Sequence, residues 1–589
     1  MTFWPRNLAI CLLALCCVPP LATAAEGDKP PAKLGKALLA SIAVKEDYPE
    51  GIAGEGLFGE MKPHLRDLID RLDKAAKDDK LTGVVLRLRD PAIGLGKVSA
   101  IREAVARVRK TGKRVYADVH TAGTRDFLIA TACDQIIMPE SGSLMINGIQ
   151  AEVMFFKGLL DKLGIQADFI QVGDFKGASE PLTRNNMSPE FRAQYEAVLN
   201  DYYEQIVETI AKERKLEAAE VKKLIDRGMF SANEARDVKL IDRVAYEDEW
   251  HDALKGELNA DDLAIERDYG RKKSEDLSGM AGMMKLMEAL MGGDQKSKNS
   301  KNNKIAIVYI VGPIMTGEST VGLFGSQSVG SDTIVKALRQ VNDDPKVKAI
   351  VLRVDSPGGS ALASDLIWRE TVRATKPVVV SMGDVAGSGG YYVSMGAKKI
   401  FVEPGTLTGS IGVVGGKLAL RGLFDKVGIN TETISRGKTA GSLSFTDPFS
   451  LEEREAWKRM MLETYHQFTT KAAQGRHMEL KKLEGLAQGR VFSGRMAVAN
   501  GLADQLGTLE DAIAEAKSLG GVGADEKIDL QLLPKPKGLL EQLLGGSSVE
   551  AEIRSLAPEV AESLSLAAEL RRLFAEPTVM VMPYRVRFK

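Results

Sequence analysis

Ala349-Ile350-Val351-Leu352-Arg353-Val354-Asp355-Ser356-Pro357-Gly358-Gly359-Ser360 is the stretch on which the fold turns. Its first six residues form a largely apolar, β-branched run, the pattern of a strand buried on both faces of a parallel sheet. The run breaks on Pro-Gly-Gly, and a helix is expected beyond it, roughly from Ser364 to Ala374. Outward in both directions the pattern repeats. Ile305 to Val311 reads as a strand before it, Pro377 to Met382 as a third after it, and Ile400 to Val402 as a short fourth. Strands alternating with helices predict an α/β domain with a parallel sheet and crossover helices.

The same stretch has a partner earlier in the chain. Val85-Leu86-Arg87-Leu88 recurs as Val351-Leu352-Arg353-Val354, 266 residues later. Gly158-Leu-Leu-Asp-Lys-Leu-Gly-Ile165 recurs as Gly422-Leu-Phe-Asp-Lys-Val-Gly-Ile429 at an offset of 264, and Phe230-Ser231 as Phe492-Ser493 at 262. Three matches in the same order, drifting only by short loop indels, identify a tandem duplication. Each copy closes on longer helices. One opens at Ser188-Pro189-Glu190, a cap followed by proline, and its counterpart at the capping box Ser450 to Glu453.

Composition and punctuation set the boundaries. Residues 40–271 read as the first repeat and 304–520 as the second. Between them, 272–303 runs from a methionine-rich patch (Met280, Met283, Met284, Met287, Met291) into a polar Lys-Ser-Asn tract, a linker by composition. Residues 521–589 form a C-terminal extension whose role the sequence leaves open. At the other end, Arg6, the apolar run Leu8 to Val18 and Ala22-Thr23-Ala24 fit an export signal over 1–24. That run is about half the roughly 20 residues of a membrane span. Cleavage is the favoured reading, and an uncleaved anchor the alternative.

The 589 residues are 44% hydrophobic and 27% charged, with a formal net charge of -1, so the chain is globular and carries no global field for nucleic acid. Three of the four cysteines, Cys11, Cys16 and Cys17, fall in the apolar leader, which leaves Cys133 alone and excludes a disulfide framework. The five histidines show no metal-pair spacing. No metal or other cofactor is expected.

Three glycine-rich turns crowd the second copy: Asp355 to Ser360, Gly387-Ser-Gly-Gly-Tyr-Tyr392, and Thr408-Gly-Ser410-Ile-Gly412. All fall at equivalent ends of the sheet, where α/β proteins bind ligands. None carries the Gly-Lys-Ser/Thr ending or the GxGxxG context of a phosphate cradle. A serine beside convergent backbone donors is equipment for acyl transfer. No histidine lies within about fifty residues of Ser410, and no GxSxG elbow surrounds it. A lysine kept neutral by burial can replace histidine as the base.

These motifs, with Gly383-Asp-Val-Ala-Gly-Ser-Gly-Gly-Tyr-Tyr392, Leu407-Thr-Gly-Ser-Ile-Gly412 and Gly173-Asp-Phe-Lys-Gly-Ala-Ser-Glu-Pro181, resemble the signal peptide peptidase A (protease IV) family in its long bacterial form. The resemblance spans about residues 50 to 515. It implies a ClpP/crotonase-like fold in each copy, a serine-lysine dyad, and a homotetramer that hydrolyses leftover signal peptides on the periplasmic side of the inner membrane, soluble or membrane-associated. Carried over by position, Ser410 is the nucleophile and Lys176 the general base. Oxyanion donors would be the N–H of Ile411 and of Gly358 or Gly359. The serine that orients the lysine would match Ser435.

The duplication supports the dyad separately. Aligning the copies sets Asn147 opposite Ser410 and Lys176 opposite Ala440. The first copy keeps the amine and lacks the hydroxyl; the second does the reverse. One complete site is therefore expected per chain, split across the halves, with Lys438 as rival base. The first copy also has Asp90-Pro-Ala-Ile-Gly94 where the second has Ser356-Pro-Gly-Gly, a degraded turn. Two other classes compete: a crotonase-type acyl-CoA enzyme, which has no use for a nucleophilic serine paired to lysine, and a non-catalytic envelope scaffold, for which loss of either residue would have argued.

Overall fold

A computed structural model of the chain describes residues 34–45, 47–51, 63–271, 302–321, 327–523, 525–535 and 579–582. The export signal, the methionine-rich patch, nearly all of the linker and most of the C-terminal extension lie outside the described residues.

The two copies build the same sheet. In the first, the order is Ala260–Glu266, Leu34–Lys45, Gly83–Arg89, Arg114–Val119, Gln135–Met138, Arg243–Val244, with every neighbour parallel. In the second it is Ile528–Leu533, Asn303–Val311, Val347–Ser356, Val378–Gly387, Lys399–Val402, Gln505–Leu506, again all parallel. Each copy also carries the same small branch, a parallel pair followed by an antiparallel one. It runs through Thr121–Ala122, Ser143–Met145 and Met229–Ser231 in one, and through Val378–Gly387, Leu407–Gly409 and Val491–Ser493 in the other. The class is α/β, twice. Two strands of these sheets reach outside the ranges read from composition. Leu34–Lys45 begins before 40, and Ile528–Leu533 lies past 520.

The deciding stretch folds as its pattern dictates. In Val347–Ser356 only Lys348 and Asp355 are not fully buried, and its Ile350, Leu352 and Val354 enter the main core of the second copy. The following helix starts at Ala361, earlier than Ser364, because the Ser360 hydroxyl caps it by accepting from Ala363 N–H. The third strand runs on through Gly383-Asp-Val-Ala to Gly387. Both long closing helices, Pro189–Arg214 and Leu451–Gly475, begin at the serine caps read from sequence.

A third sheet forms the seam between the copies. Gln166–Val172 of the first pairs antiparallel with Val413–Ala419 of the second, from Val172↔Val413 to Gln166↔Ala419. The equivalents of these strands, near 149–155 and 429–436, have no regular structure. Charges lock the seam elsewhere. Arg353 and Glu50 form an ion pair buried between the copies, and Lys97 bridges Asp384 at 3.4 Å and Asp355 at 3.6 Å.

Candidate active site

Lys176 arrives at the seam on the turn after Gln166–Val172, and the motif around it is a set of packing requirements. Gly173 has φ +109 and lies against the Gln488 backbone, where no side chain fits. Gly177 carries the Phe191 ring directly over its Cα. The Glu180 carboxylate accepts from the backbone and hydroxyl of Ser188, tying the turn to the start of the Pro189–Arg214 helix. Phe175 N–H donates to Gln488 O at 2.9 Å, and the Arg490 guanidinium stacks 3.9 Å from the Phe175 ring. The result is a lysine with 0% exposure.

Ser410 reaches the same point from the end of Leu407–Gly409. Its φ of +53 is a left-handed conformation that a non-glycine residue holds at a cost. The surroundings enforce it: Ser410 N–H donates to Arg490 O at 2.6 Å, and Gly489 N–H to Ile411 O at 2.7 Å. Gly489 itself, at φ +84, lies against the Lys176 backbone, so the Gln488 to Arg490 turn clamps both residues at once.

The Lys176 Nζ lies 2.9 Å from Ser410 Oγ, 2.8 Å from Ser410 O and 2.7 Å from Ser388 Oγ. All three side chains are fully buried. Burial alone sets the lysine's acidity, holding its pKa well below the usual lysine value. Lys97 makes the contrast. Burial opposes its charge too, but Asp384 and Asp355 outweigh it and hold that amine above its ordinary range. Lys176 has serines where Lys97 has carboxylates. A neutral amine has two N–H bonds and one lone pair. The Ser410 carbonyl can only accept, so it takes one N–H, and the two hydroxyls divide the other N–H and the lone pair between them. If Ser388 accepts, the lone pair faces Ser410 Oγ–H, the arrangement of a general base and its nucleophile.

The structure brings Ser410 and Lys176 together within one chain. It does not bring Ser435, which is exposed with the segment around it. The serine beside the amine is Ser388, at the head of the Gly389–Ser394 helix, with φ +56 and its N–H donating to Gly409 O. Lys438, the rival base, is exposed, as is Ala440, and Asn147 is exposed on the first copy. Gly358, at φ +99, and Gly359 lie against Gly389, the residue after Ser388, and Ile411 is buried next to Ser410. Sequence reading missed Ser388 and the Gln488 to Arg490 clamp. Ser388 lies in the Gly387 to Tyr392 turn, where the glycines are the stronger sequence signal. Among the described residues no cluster of three or more His, Cys, Asp or Glu is arranged to hold a metal. No described helix is long and apolar enough to cross a membrane.

Known proteins include relatives of this chain. The chain is similar to a chloroplastic serine protease SPPA of Arabidopsis thaliana, 34% identical over 84% of this chain and 71% of that protein. It is similar to protease 4 of Salmonella typhi, 30% identical over 87% and 81%. A putative signal peptide peptidase SppA of Enterococcus faecium is 35% identical over 37% of this chain and 64% of its own. Of solved structures, a mutant of ClpP1 from Listeria monocytogenes matches 35% of this chain and 94% of its own, at 16% identity and TM-score 0.24. The model of peptidase family S49 matches twice, at residues 107–261 and 370–523, one match in each repeat. The chain belongs to peptidase family S49.

Proposed function

We propose that this chain is a serine endopeptidase that hydrolyses cleaved signal peptides and other apolar peptides with a Ser410/Lys176 dyad. The observation that carries the reading is the buried amine 2.9 Å from Ser410 Oγ with no carboxylate beside it among the described residues. Neutral Lys176 takes the Ser410 hydroxyl proton as Oγ attacks the peptide carbonyl, and the tetrahedral intermediate collapses to an acyl-enzyme as its C–N bond breaks and the protonated lysine returns the proton to the leaving amine. Water then repeats the cycle with the same base. The N–H of Ile411 and of Gly358 or Gly359 hold the developing oxyanion. Ser388 is a positioning residue: by accepting one Nζ–H it turns the lone pair toward Ser410, the task the resemblance gave to Ser435. The role needs no metal or cofactor.

We place the protein in the cell envelope, on the periplasmic side of the inner membrane, as a homotetramer. The export signal at 1–24 supports the location. Exposed apolar residues in the equivalents of the seam strands, Met154, Ile429 and Ile434, support assembly. The test is labelling with a fluorophosphonate followed by peptide hydrolysis. Wild-type chain labels at Ser410 and cleaves an apolar reporter peptide, while Ser410→Ala does neither. Labelling at another residue, or hydrolysis that survives in Ser410→Ala, overturns the assignment.

A further inference from the structure

The seam sheet contains one strand for which the dyad has no use. Val579–Val581, a short strand of the C-terminal extension, lies between Gly358–Ser360 and Val413–Ala419 and runs antiparallel to both. It pairs Gly358↔Val581, Gly359↔Met580 and Ser360↔Val579 on one side and Val414↔Val579 on the other. Met582 N–H then donates to Pro357 O at 2.8 Å. Among the described residues, the two flanking strands are joined in one sheet only through this insert.

Its side chains are sunk. Val579, Met580 and Met582 are 0%, 1% and 4% exposed. Val579 packs with Val414, against Phe169, Ala178 and Met315. The Met582 thioether covers Gly387, where even a methyl group would strike its sulfur, and shares a core with Leu407 and Val491. Gly387 immediately precedes Ser388, and Leu407–Gly409 leads directly into Ser410. The Met580 carbonyl sits on Gly358 so closely that any side chain there would collide with it. The insert therefore lies over the flanks of the dyad with a backbone carbonyl on one of the proposed oxyanion glycines.

An extended segment adding a strand to exposed sheet edges is a standard mode of peptide recognition: main-chain bonds give affinity, and side-chain pockets give selectivity. We propose that the groove between Gly358–Ser360 and Val413–Ala419 is the binding site for extended apolar peptides, and that residues 579–582 are its tethered resident, which a substrate must displace. This rests on the Ser410/Lys176 reading and names the ligand of that same site. The class it selects is a valine- or methionine-like aliphatic segment in β conformation, filling the positions now held by Val579, Met580 and Met582. Tethering makes the resident an intramolecular competitor, so weakly apolar peptides are excluded and long apolar ones enter.

The experiment measures binding apart from catalysis. A fluorescein-labelled peptide of residues 576–585 is titrated, by fluorescence anisotropy, into three chains that all carry Ser410→Ala: otherwise intact, ending at Lys535, and full-length with Met580→Asp. The truncated and Met580→Asp chains should bind at least about tenfold more tightly than the intact one, the mark of a removed tethered competitor. With Ser410 restored, the same two changes should lower KM for an apolar reporter peptide, and added 576–585 peptide should raise it again at unchanged kcat. Equal binding by all three chains overturns the proposal, and so does an unchanged KM. Should the truncated chain not fold, Met580→Asp decides the question alone. Hydrolysis that survives in Ser410→Ala would defeat the dyad and leave the binding result standing.

Discussion

The two copies share a strand order and a branch, yet the same end of each sheet does opposite work. In the second copy the turn from Ser356 to Ser360 is glycine-rich and opens on the groove. In the first, the turn from Asp90 to Gly94 is filled: the Asp384 carboxylate of the second copy accepts from Gly94 N–H at 3.2 Å and Lys97 N–H at 3.0 Å, at the start of the Leu95–Lys110 helix. Such a helix start attracts an anion. On the proposed reading one copy offers that kind of end to a reacting peptide; the other has taken up a side chain of its twin and become a socket. The strands show the same exchange. The first copy forms the strand that leads into Lys176 and the second the strand that leads out of Ser410, and each leaves the other's equivalent unformed. A duplicated domain has become one site by dividing its parts rather than by keeping two.

The sharpest way to break this comparison is to remove either half of the dyad. Ser410→Ala and Lys176→Ala should each lower kcat/KM by about 10⁴- to 10⁶-fold, because a nucleophile and its base act as a unit. Mixing the two variants should restore nothing, since the amine and the hydroxyl belong to one chain. Recovery of turnover on mixing would assign the pair to neighbouring chains.

A smaller effect should follow at Ser388. Losing one hydrogen bond to the amine in Ser388→Ala should cost about 10- to 100-fold in kcat. The pH profile adds the sign. Lys176 works as a base only when neutral, so activity rises with pH through its lowered pKa and is lost below it. The Ser388 oxygen accepts more strongly from a charged amine than from a neutral one. Its removal should therefore move the limb to lower pH, where a purely structural defect would lower the plateau and leave the limb in place. Activity held down to about pH 4 in the unmodified protein would point to a different base, given the few-unit depressions documented for buried lysines.

Asp384→Ala tests the socket. It strips the helix start and leaves Lys97 with Asp355 as its near carboxylate, so stability should fall by about 2–4 kcal/mol in denaturant unfolding. An unchanged midpoint would mean that the socket contributes nothing to holding the copies together. Lys176→Met should act in the other direction, raising stability by about 1–3 kcal/mol at neutral pH while abolishing turnover. The unfolded chain keeps the lysine protonated up to about pH 10.4, whereas the folded one does not, so the penalty shrinks as pH rises toward that value. The smallest effect belongs to Asn147→Ala, which should leave kcat/KM unchanged because that residue is exposed on the copy that lost its hydroxyl.

Much of the site is legible in the chain because duplication supplies an internal control. Two aligned copies show, from the residues alone, that Lys176 and Ser410 each lack a twin. Ser388 is not legible in the same way, for a physical reason. It stands 22 residues before Ser410 in sequence and reaches the amine only because Gly387 pairs with Gly409, and register of that kind is a tertiary property. Ser435, the match by resemblance, lies in a segment that forms no strand and is exposed. The Ile528–Leu533 strand escaped notice because five of its six residues are only half-buried, which blurs the apolar pattern of a core strand. The groove resident is shorter still, three residues at the far end of an extension with no periodicity to announce it.

The turn from Gln488 to Arg490 has a consequence for the order in which the protein is made. It holds Ser410 through Arg490 O and the Lys176 turn through Gln488 O, so both groups wait on residues encoded some eighty positions after the nucleophile. On the proposed dyad, a ribosome that has delivered the amine, or even the serine, has not yet delivered a protease. The cutting centre comes into being only when nearly the whole second domain has emerged, and a half-made chain passing among unfolded neighbours has nothing with which to cleave them.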